Sequence, residues 1–459
     1  MSRNSKTLII IMGVLVLLGG GYYGSIIWKD RKSEPVPYTP PPKIGNLDGS
    51  KLVKIEVPGM VLEKMNGAWE LVSLDGEIPP DGIELDQGEI QNIAYSLATI
   101  YVDQVVEENP ADTSIFGLDR PSSRPMVTDS DGRRVVYILG NAAPSQTSCY
   151  VKQEGDATVY TISSYSADYM KVSLDRIRQR LLFPAFEFPA LVKFRLETPE
   201  TTIDIGVKPE NPPPHLASGF STHIITSPYK LPRAVYGEVL NKLLSPLNDL
   251  EIIDFVDDHP SSLSPYGLET PIKIFLQTVT DSLDLLVGSQ VGGKRYAKLA
   301  DASGIFTLAG LEDIINAKPF SLTDKFALLI NIDLVDHLRV SGGEKEINAD
   351  FRGSGEDAVF YLDGKEAEMK SFRNFYQAVI SLMTEAEYAS PPPSGETPDA
   401  GNITIEYLLR TPPGEKISIT LIPYNRDFYA LRQEGTMEFL ISRNQVRKIY
   451  EAEQAVKYD

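Results

Sequence analysis

One pattern, aromatic-Gly-Leu-acid-x-Pro, occurs twice in this chain, as Phe116-Gly117-Leu118-Asp119-Arg120-Pro121 and, 150 positions later, as Tyr266-Gly267-Leu268-Glu269-Thr270-Pro271. Its surroundings recur with it. A strand-like run ending in Gly follows each copy, VVYILG at 135–140 and LDLLVG at 283–288. Tyr150-Val151-Lys152 then answers to Tyr296-Ala297-Lys298, and Val159-Tyr160-Thr161-Ile162 to Ile305-Phe306-Thr307-Leu308. A more diverged third copy is read at Tyr429-Ala430-Leu431-Arg432-Gln433-Glu434-Gly435, which echoes Tyr150 to Gly155, with Phe439-Leu440-Ile441-Ser442 as the next strand. Such a repeat constrains the fold more than composition does, because each copy must be a supersecondary unit with an apolar face to bury. Gly117 and Gly267 are assigned to turns, Pro121 and Pro271 to strand starts.

Periodicity fills in the units. Ile90, Ile93, Leu97 and Tyr101 share a face at 88–101, as do Val239, Leu240, Leu243 and Leu244 at 235–247, and Phe372, Phe375, Val379 and Leu382 at 369–383. Spacings near 3.6 predict amphipathic helices packed on sheets. Residues 51–57 (KLVKIEV) alternate as a strand does. Asn66-Gly67 joins 60–64 to 68–72, and Asp131-Gly132 precedes 133–139, as type I′ hairpin signals. Residues 404–410 and 416–422 flank Thr411-Pro412-Pro413-Gly414 as a further hairpin. The runs 211–214 and 390–401 (SPPPSGETPDAG) are Pro-rich loops. The expected fold class is α+β, in repeated units of antiparallel sheet with a packed helix, preceded by one transmembrane helix. The expected divisions are 1–32 (tail and span), 33–47 (Pro-rich linker), and units at 48–188, 189–329 and 330–459.

The span is read from residues 8–28, which open on Leu8, close on Trp28 and hold no charged side chain. As a helix rising about 1.5 Å per residue they reach roughly 31 Å, the thickness of a bilayer core. Tyr22, Tyr23 and Trp28 gather toward one end as interfacial aromatics do. The apolar run is too long for a cleaved signal peptide, and no small-x-small site follows it. Basic residues flank both ends, so orientation rests on the short first tail, which places the N-terminus in the cytoplasm and the body outside it. The stretch 33–45 (SEPVPYTPPPKIG) reads as an extended spacer.

The formal net charge is −19, and residues 1–32 hold five basic residues against one acidic, so the rest carries −23. Such a body repels phosphate backbones and argues against nucleic-acid binding. The single cysteine, Cys149, excludes an intramolecular disulfide and a cysteine cluster for zinc or iron–sulfur ligation, and reads as a buried small hydrophobe.

The span, the strand 51–57, the NGAWEL hairpin around Trp69, the two hexapeptides and the strand-Gly with its Tyr-x-Lys together resemble a bacterial family catalogued as a domain of unknown function, number four-three-four-zero. The resemblance covers much of 48–310 and weakens beyond. It implies a single-span envelope protein, with some members encoded beside ABC-type transporters of the gliding-motility-auxiliary kind. It brings no catalytic residues.

The residues that could carry chemistry form no complete catalytic or metal-binding pattern. Gly288 to Arg295 (GSQVGGKR) approaches a phosphate loop, but Arg295 replaces the magnesium-binding hydroxyl and a strand, not a helix, should follow. Asp257-Asp258-His259 and Asp336-His337 are adjacent residues that cannot converge on one ion from a regular element, and His215 and His223 are read as loop residues. Ser227-Pro228-Tyr229-Lys230 fits S-x-x-K without the partner motifs of Ser–Lys acylases. Asp129-Ser130-Asp131-Gly132 starts like a calcium loop but lacks the closing Glu, so a hairpin turn is expected. Trp69 and the tyrosines read as half-buried sheet aromatics rather than sugar platforms. No catalytic, cofactor-binding or metal residue is assigned. The expectation is a non-enzymatic, single-pass, extracytoplasmic binding or scaffolding protein of an envelope or ABC-transporter-associated assembly. The alternative is a ligand-binding ectodomain for cell-wall glycan or a transported solute.

Overall fold

The structure, a computed structural model, describes Tyr22 and residues 42–217, 219–353, 355–392, 401–410 and 413–458. The span at 8–28, apart from Tyr22, and the spacer up to residue 41 lie outside the described residues, as do 393–400 of the Pro-rich loop and 411–412 of the last hairpin turn. Among the described residues no helix is long and apolar enough to cross a membrane.

The fold is α+β, mostly antiparallel sheet with few helices. Two compact units are formed, Met1–Arg178 and Gln179–Asp459. The first holds an eight-stranded sheet. Across it lie Ala68–Leu74, Met60–Met65 and Leu52–Val57, then Met126–Asp129, Arg134–Ala142, Ser148–Gln153 and Val159–Ser163, with Gln104–Glu107 at the far edge. An N-terminal meander is thus zipped to a C-terminal meander through their first strands. The strand that follows the helix returns to the outer edge.

The second unit holds two nine-stranded sheets of the same order, each with one extra short strand on the N-terminal edge. The meanders join where Leu191–Glu197 pairs with Ile272–Thr278, and where Val335–Ser341 pairs with Ile403–Leu409. The far edges are Asp254–Asp257 and Ala386–Glu387. Each sheet has its own apolar cluster, because alternation sends every second side chain to one face. In Leu52–Val57, for example, Leu52, Ile55 and Val57 are buried while Lys54 and Glu56 form an ion pair on the other face.

The helices differ from expectation mainly at their ends. Gln87–Ala98 is capped by Asp86, whose carboxylate accepts from the Glu89 amide, and buries Ile90, Ile93, Ala94 and Leu97. It stops before Tyr101, although Tyr101 fits the period of its apolar face. The β-branched Thr99-Ile100 pair turns extended, and Tyr101 sits exposed on Ile100–Tyr101, paired with Lys43–Ile44. Gly237–Leu244 buries Leu240 and Leu244 and tightens into a 3-10 turn at Ser245–Leu247. Met369–Ile380 buries Phe372, Phe375 and Val379, with Phe360 stacked on Phe372 at 4.5 Å.

Asn66 and Gly67 both take positive φ (53° and 90°), as a type I′ turn requires. Asp131-Gly132 does not. Only Gly132 is left-handed, and the Asp129 carboxylate organises the turn by accepting the amides of Asp131 and Arg133 at 3.0 and 2.9 Å. An Asp that hydrogen-bonds the backbone two residues on competes with the mirror-image turn. Pro271 stands directly before its strand, Ile272–Thr278. Pro121 does not, since residues 122–125 intervene and Ser123 bridges to Leu139.

Candidate functional site

The repeated hexapeptide is a packing device. Ser114–Phe116 and Ser264–Tyr266 are single 3-10 turns closed by Gly117 and Gly267 at φ 71° and 68°. Each turn drops onto the glycine that ends the matching strand run. A Cβ on Gly140 would lie 2.2 Å from the Phe116 carbonyl oxygen, and one on Gly288 2.1 Å from that of Tyr266. The turn's aromatic then meets the tyrosine of the Tyr-x-Lys strand, Phe116 on Tyr150 at 5.0 Å and Tyr266 on Tyr296 at 5.1 Å. Leu118 and Leu268 are buried beneath. Three short sequence signals are therefore one cluster, formed twice.

The chemistry-bearing candidates are dispersed. GSQVGGKR is a hairpin: Ser282–Val291 turns at Gly292-Gly293 into Lys294–Leu299, and Arg295 pairs with Glu312 at 2.7 Å. Ser227 ends the strand His223–Ser227 rather than starting a helix, so no Ser–Lys pair forms at a helix N-terminus. Asp257 accepts from the Tyr266 hydroxyl at 2.9 Å and from the His259 amide at 3.0 Å. His337 Nδ1 lies 2.8 Å from Asp350, and His215 Nδ1 3.0 Å from Glu434. His215 is on the short helix Pro214–Ala217, and His223 is buried on a strand with Nε2 at 2.9 Å from the Leu191 carbonyl, so neither is a loop residue. Trp69 is buried with its indole N–H toward Gln91 Oε1 at 3.4 Å, and Cys149 is buried on its strand. Among the described residues no group of three His, Cys, Asp or Glu could hold a metal ion.

Two places gather polar groups. The first is a cleft of about 830 Å³ on the face of the eight-stranded sheet opposite its core. Half-buried Val61, Met126 and Val136 line it, alternating with the buried Leu62, Val127 and Val135. Arg124 and Glu154 pair across its rim, and Arg134 reaches over Met126, its Nη2 2.7 Å from Sδ. An apolar floor with charges of both signs at the edge suits a polypeptide segment better than a single ion. Nothing in the sequence signals this cleft, since its residues come from six strands and the turns beside them.

The second is a seam inside the second unit, where the edge strand Arg233–Ala234 of one sheet meets the third sheet. The Arg233 guanidinium donates to Gln433 Oε1 and, at 2.8 Å, to Glu438 Oε2, and lies 4.8 Å from the Phe439 ring centre. The Tyr229 hydroxyl donates to Glu387 at 2.6 Å, and burial followed by that bond raises the phenol above its ordinary value. Lys325 sits over the Phe320 ring, and burial lowers its amine to about 8 although Glu387 and Asp324 pull the other way. Convergent perturbed groups are candidates for catalysis, but here they join two sheets and are spent on one another.

The seam predicts a pH effect. An amine whose folded value lies below its unfolded one binds fewer protons folded than unfolded between the two, so stability rises with pH across that window. Lys325 should therefore strengthen the fold from about pH 8 upward, until ionisation of unfolded tyrosines near pH 10 opposes it. Denaturant titrations at pH 8.0 and 9.5 are expected to show that rise in the native chain and a flatter response in Lys325→Met. Equal slopes would mean that Lys325 is as well solvated folded as unfolded.

A family model described as Domain of unknown function (DUF4340) matches residues 78–256 and again 224–397. The chain belongs to this family. The two DUF4340 matches start 146 residues apart, 78 against 224, close to the 150 that separate Gly117 from Gly267. The family's period is thus the structural repeat. The matched region begins past the strand 51–57 and the Trp69 hairpin, both counted above toward the resemblance, and runs on to 397, well beyond 310. No curated protein and no solved structure matches the chain.

Proposed function

We propose that this DUF4340 protein is a non-enzymatic, membrane-anchored scaffold that holds its acidic body outside the cytoplasm and binds a protein partner of the envelope. Residues 8–28 are the anchor and the Pro-rich stretch after them is the spacer. An ABC transporter is the partner class that the family resemblance favours. The observation that carries the reading is the sheet architecture: three sheets of one strand order, each closed on one face by its own core, one of them offering a mixed apolar and charged cleft of about 830 Å³ on the other face. That cleft has the interface anatomy of an apolar centre within a charged rim. The side chains that could have served catalysis lie apart or serve the seam.

Photo-crosslinking residues placed at Val61 and Val136 of the full chain in intact cells should trap one discrete partner, which the same residue at Gly293 in the second unit should not. Identical products from all three positions, or none from the cleft pair, would refute the cleft as the binding face. Protease added to whole cells should digest the acidic body. Survival of that body would place it in the cytoplasm and remove the anchor from the proposal.

A further inference from the structure

The three sheets end alike, and the likeness extends to single hydrogen bonds. Just before each far-edge strand an amide donates to the segment that leads into that repeat. Val102 donates to the Pro42 carbonyl at 2.9 Å, Ile252 to that of Arg180 at 2.8 Å and Thr384 to that of Lys325 at 2.7 Å. The next amide in each case donates to the neighbouring strand: Asp103 to Thr161, Ile253 to Thr307 and Glu385 to Leu440. Pro42, Arg180 and Lys325 are therefore one position of the repeat.

Two of the three edges have a cation at that position. In the second sheet the Arg180 guanidinium lies 5.0 Å from the Phe255 ring centre, and its Nη1 donates to the Ile252 and Ile253 carbonyls at 2.9 and 2.7 Å. In the third the Lys325 amine lies in the field of Glu387, and the Tyr229 hydroxyl donates to the same carboxylate at 2.6 Å. In the first sheet proline stands where the cation would be. All four residues of Gln104–Glu107 are exposed, with Val105 at 48 % and Val106 at 37 %. Asp103 lies on one side of these valines and Glu107 and Glu108 on the other. Among the described residues none of the three acids has an ion-pair partner.

A sheet edge leaves a row of amides and carbonyls without strand partners, and folded proteins cover such edges or charge them. Here the charges are all of one sign, and they flank two apolar side chains. Val106 has no opposite residue on Val159–Ser163, and this bulge keeps the pairing strand short. The edge therefore suits a local contact rather than a continued sheet.

We propose that this edge docks an extended segment of a partner protein that carries Arg or Lys around apolar residues. Its backbone adds to Gln104–Glu107 as a further strand. Its apolar side chains cover Val105 and Val106. Its cations take, beside Asp103, Glu107 and Glu108, the place that Arg180 and Lys325 fill on the other sheets. A basic segment is the occupant because opposite charges steer the encounter and like charges oppose it. A second copy of this chain is a poor match, since two such edges would bring their acids together and the chain carries a net charge of −19. The edge is two strands removed from Ser148–Gln153, the last strand to border the cleft assigned above, and does not depend on that assignment.

The test uses the purified full chain in mild detergent and two short peptides that alternate Val and Thr, one ended by Arg and one by Glu. Fluorescence anisotropy should show saturable binding of the Arg peptide, weakening as salt rises, and none of the Glu peptide. Amide hydrogen exchange at 104–107 should slow when the Arg peptide is bound. Glu107→Lys with Glu108→Lys should weaken the Arg peptide about tenfold and admit the Glu peptide. Asp81→Lys with Glu84→Lys, an equal change of charge on exposed residues beyond the opposite edge strand, should leave both peptides as they were. The proposal is overturned if the Arg peptide does not bind, if both peptides bind alike, or if binding leaves exchange at 104–107 unchanged. A dimer of the native chain that Val106→Lys dissociates would also overturn it, because a second copy would then fill the edge.

Discussion

The substitution Gly288→Val is expected to destabilise the second unit by roughly 3 kcal/mol, at the upper end of the cost of overpacking a close contact. Position 288 lies inside the strand Ser282–Val291, where valine suits the backbone well. The cost comes from across the contact. A Cβ there would sit 2.1 Å from the Tyr266 carbonyl oxygen and 3.0 Å from Leu268 Cγ. The carbonyl cannot swing away, because Gly267 is fixed in the left-handed region and its amide donates back to the Ser264 carbonyl at 3.1 Å. Either the strand or the turn must move, and moving the turn breaks the Tyr266–Tyr296 contact and exposes Leu268. Gly140 stands in the same relation to Phe116, so Gly140→Val should act alike on the first unit. The control is Gly292→Ala, at φ 54° with nothing within 4 Å of the added carbon, which should lose only about 1 kcal/mol of backbone strain. Hydrogen exchange of the 282–291 amides separates the units without assuming one global transition. If Gly288→Val costs no more than Gly292→Ala, the close approach does not explain why the motif recurs.

That cluster also shows how much of the fold is legible in the sequence. The hexapeptide, the strand-Gly and the Tyr-x-Lys were visible as three coincidences because each occurs twice at one spacing. Their joint purpose was not visible, because the contact between Tyr266 and Gly288 is a backbone approach that no side-chain pattern encodes. The Gln87–Ala98 helix was legible from Ile90, Ile93 and Leu97. Its end was not, because Tyr101 fits the helical period while Thr99 and Ile100 favour an extended chain, and pairing with Lys43–Ile44 decides the contest. Asp131-Gly132 carries the dipeptide of a type I′ turn, yet the Asp129 carboxylate captures the turn first. The cleft was beyond reach for a different reason. Val61, Met126 and Val136 become neighbours only through strand order. A repeat reports its own units, whereas a seam or a cleft depends on residues that share no pattern.

The substitution Glu438→Ala is expected to cost the second unit about 3–5 kcal/mol, the usual loss when one partner of a buried ion pair is removed. Arg233 and Glu438 have side chains only 10 % and 11 % exposed, and their contact at 2.8 Å is little screened by water. Glu438 also accepts the Lys230 amide through its other oxygen, so removing it strands a backbone donor as well as a guanidinium. Arg233 Nε already lacks a partner among the described residues, which leaves the cation with Gln433 and the Phe439 ring alone. A pair that costs so much to break can still contribute little net stability, because both charges were desolvated to form it. The double variant Arg233→Met with Glu438→Leu tests that distinction. It leaves no unpaired charge and keeps an apolar contact for Phe439, so it should recover at least half of what the single substitution loses. A cycle in which the two losses simply add would show that the residues act independently, and the seam would then be two separate surface contacts rather than one buried clasp between the sheets.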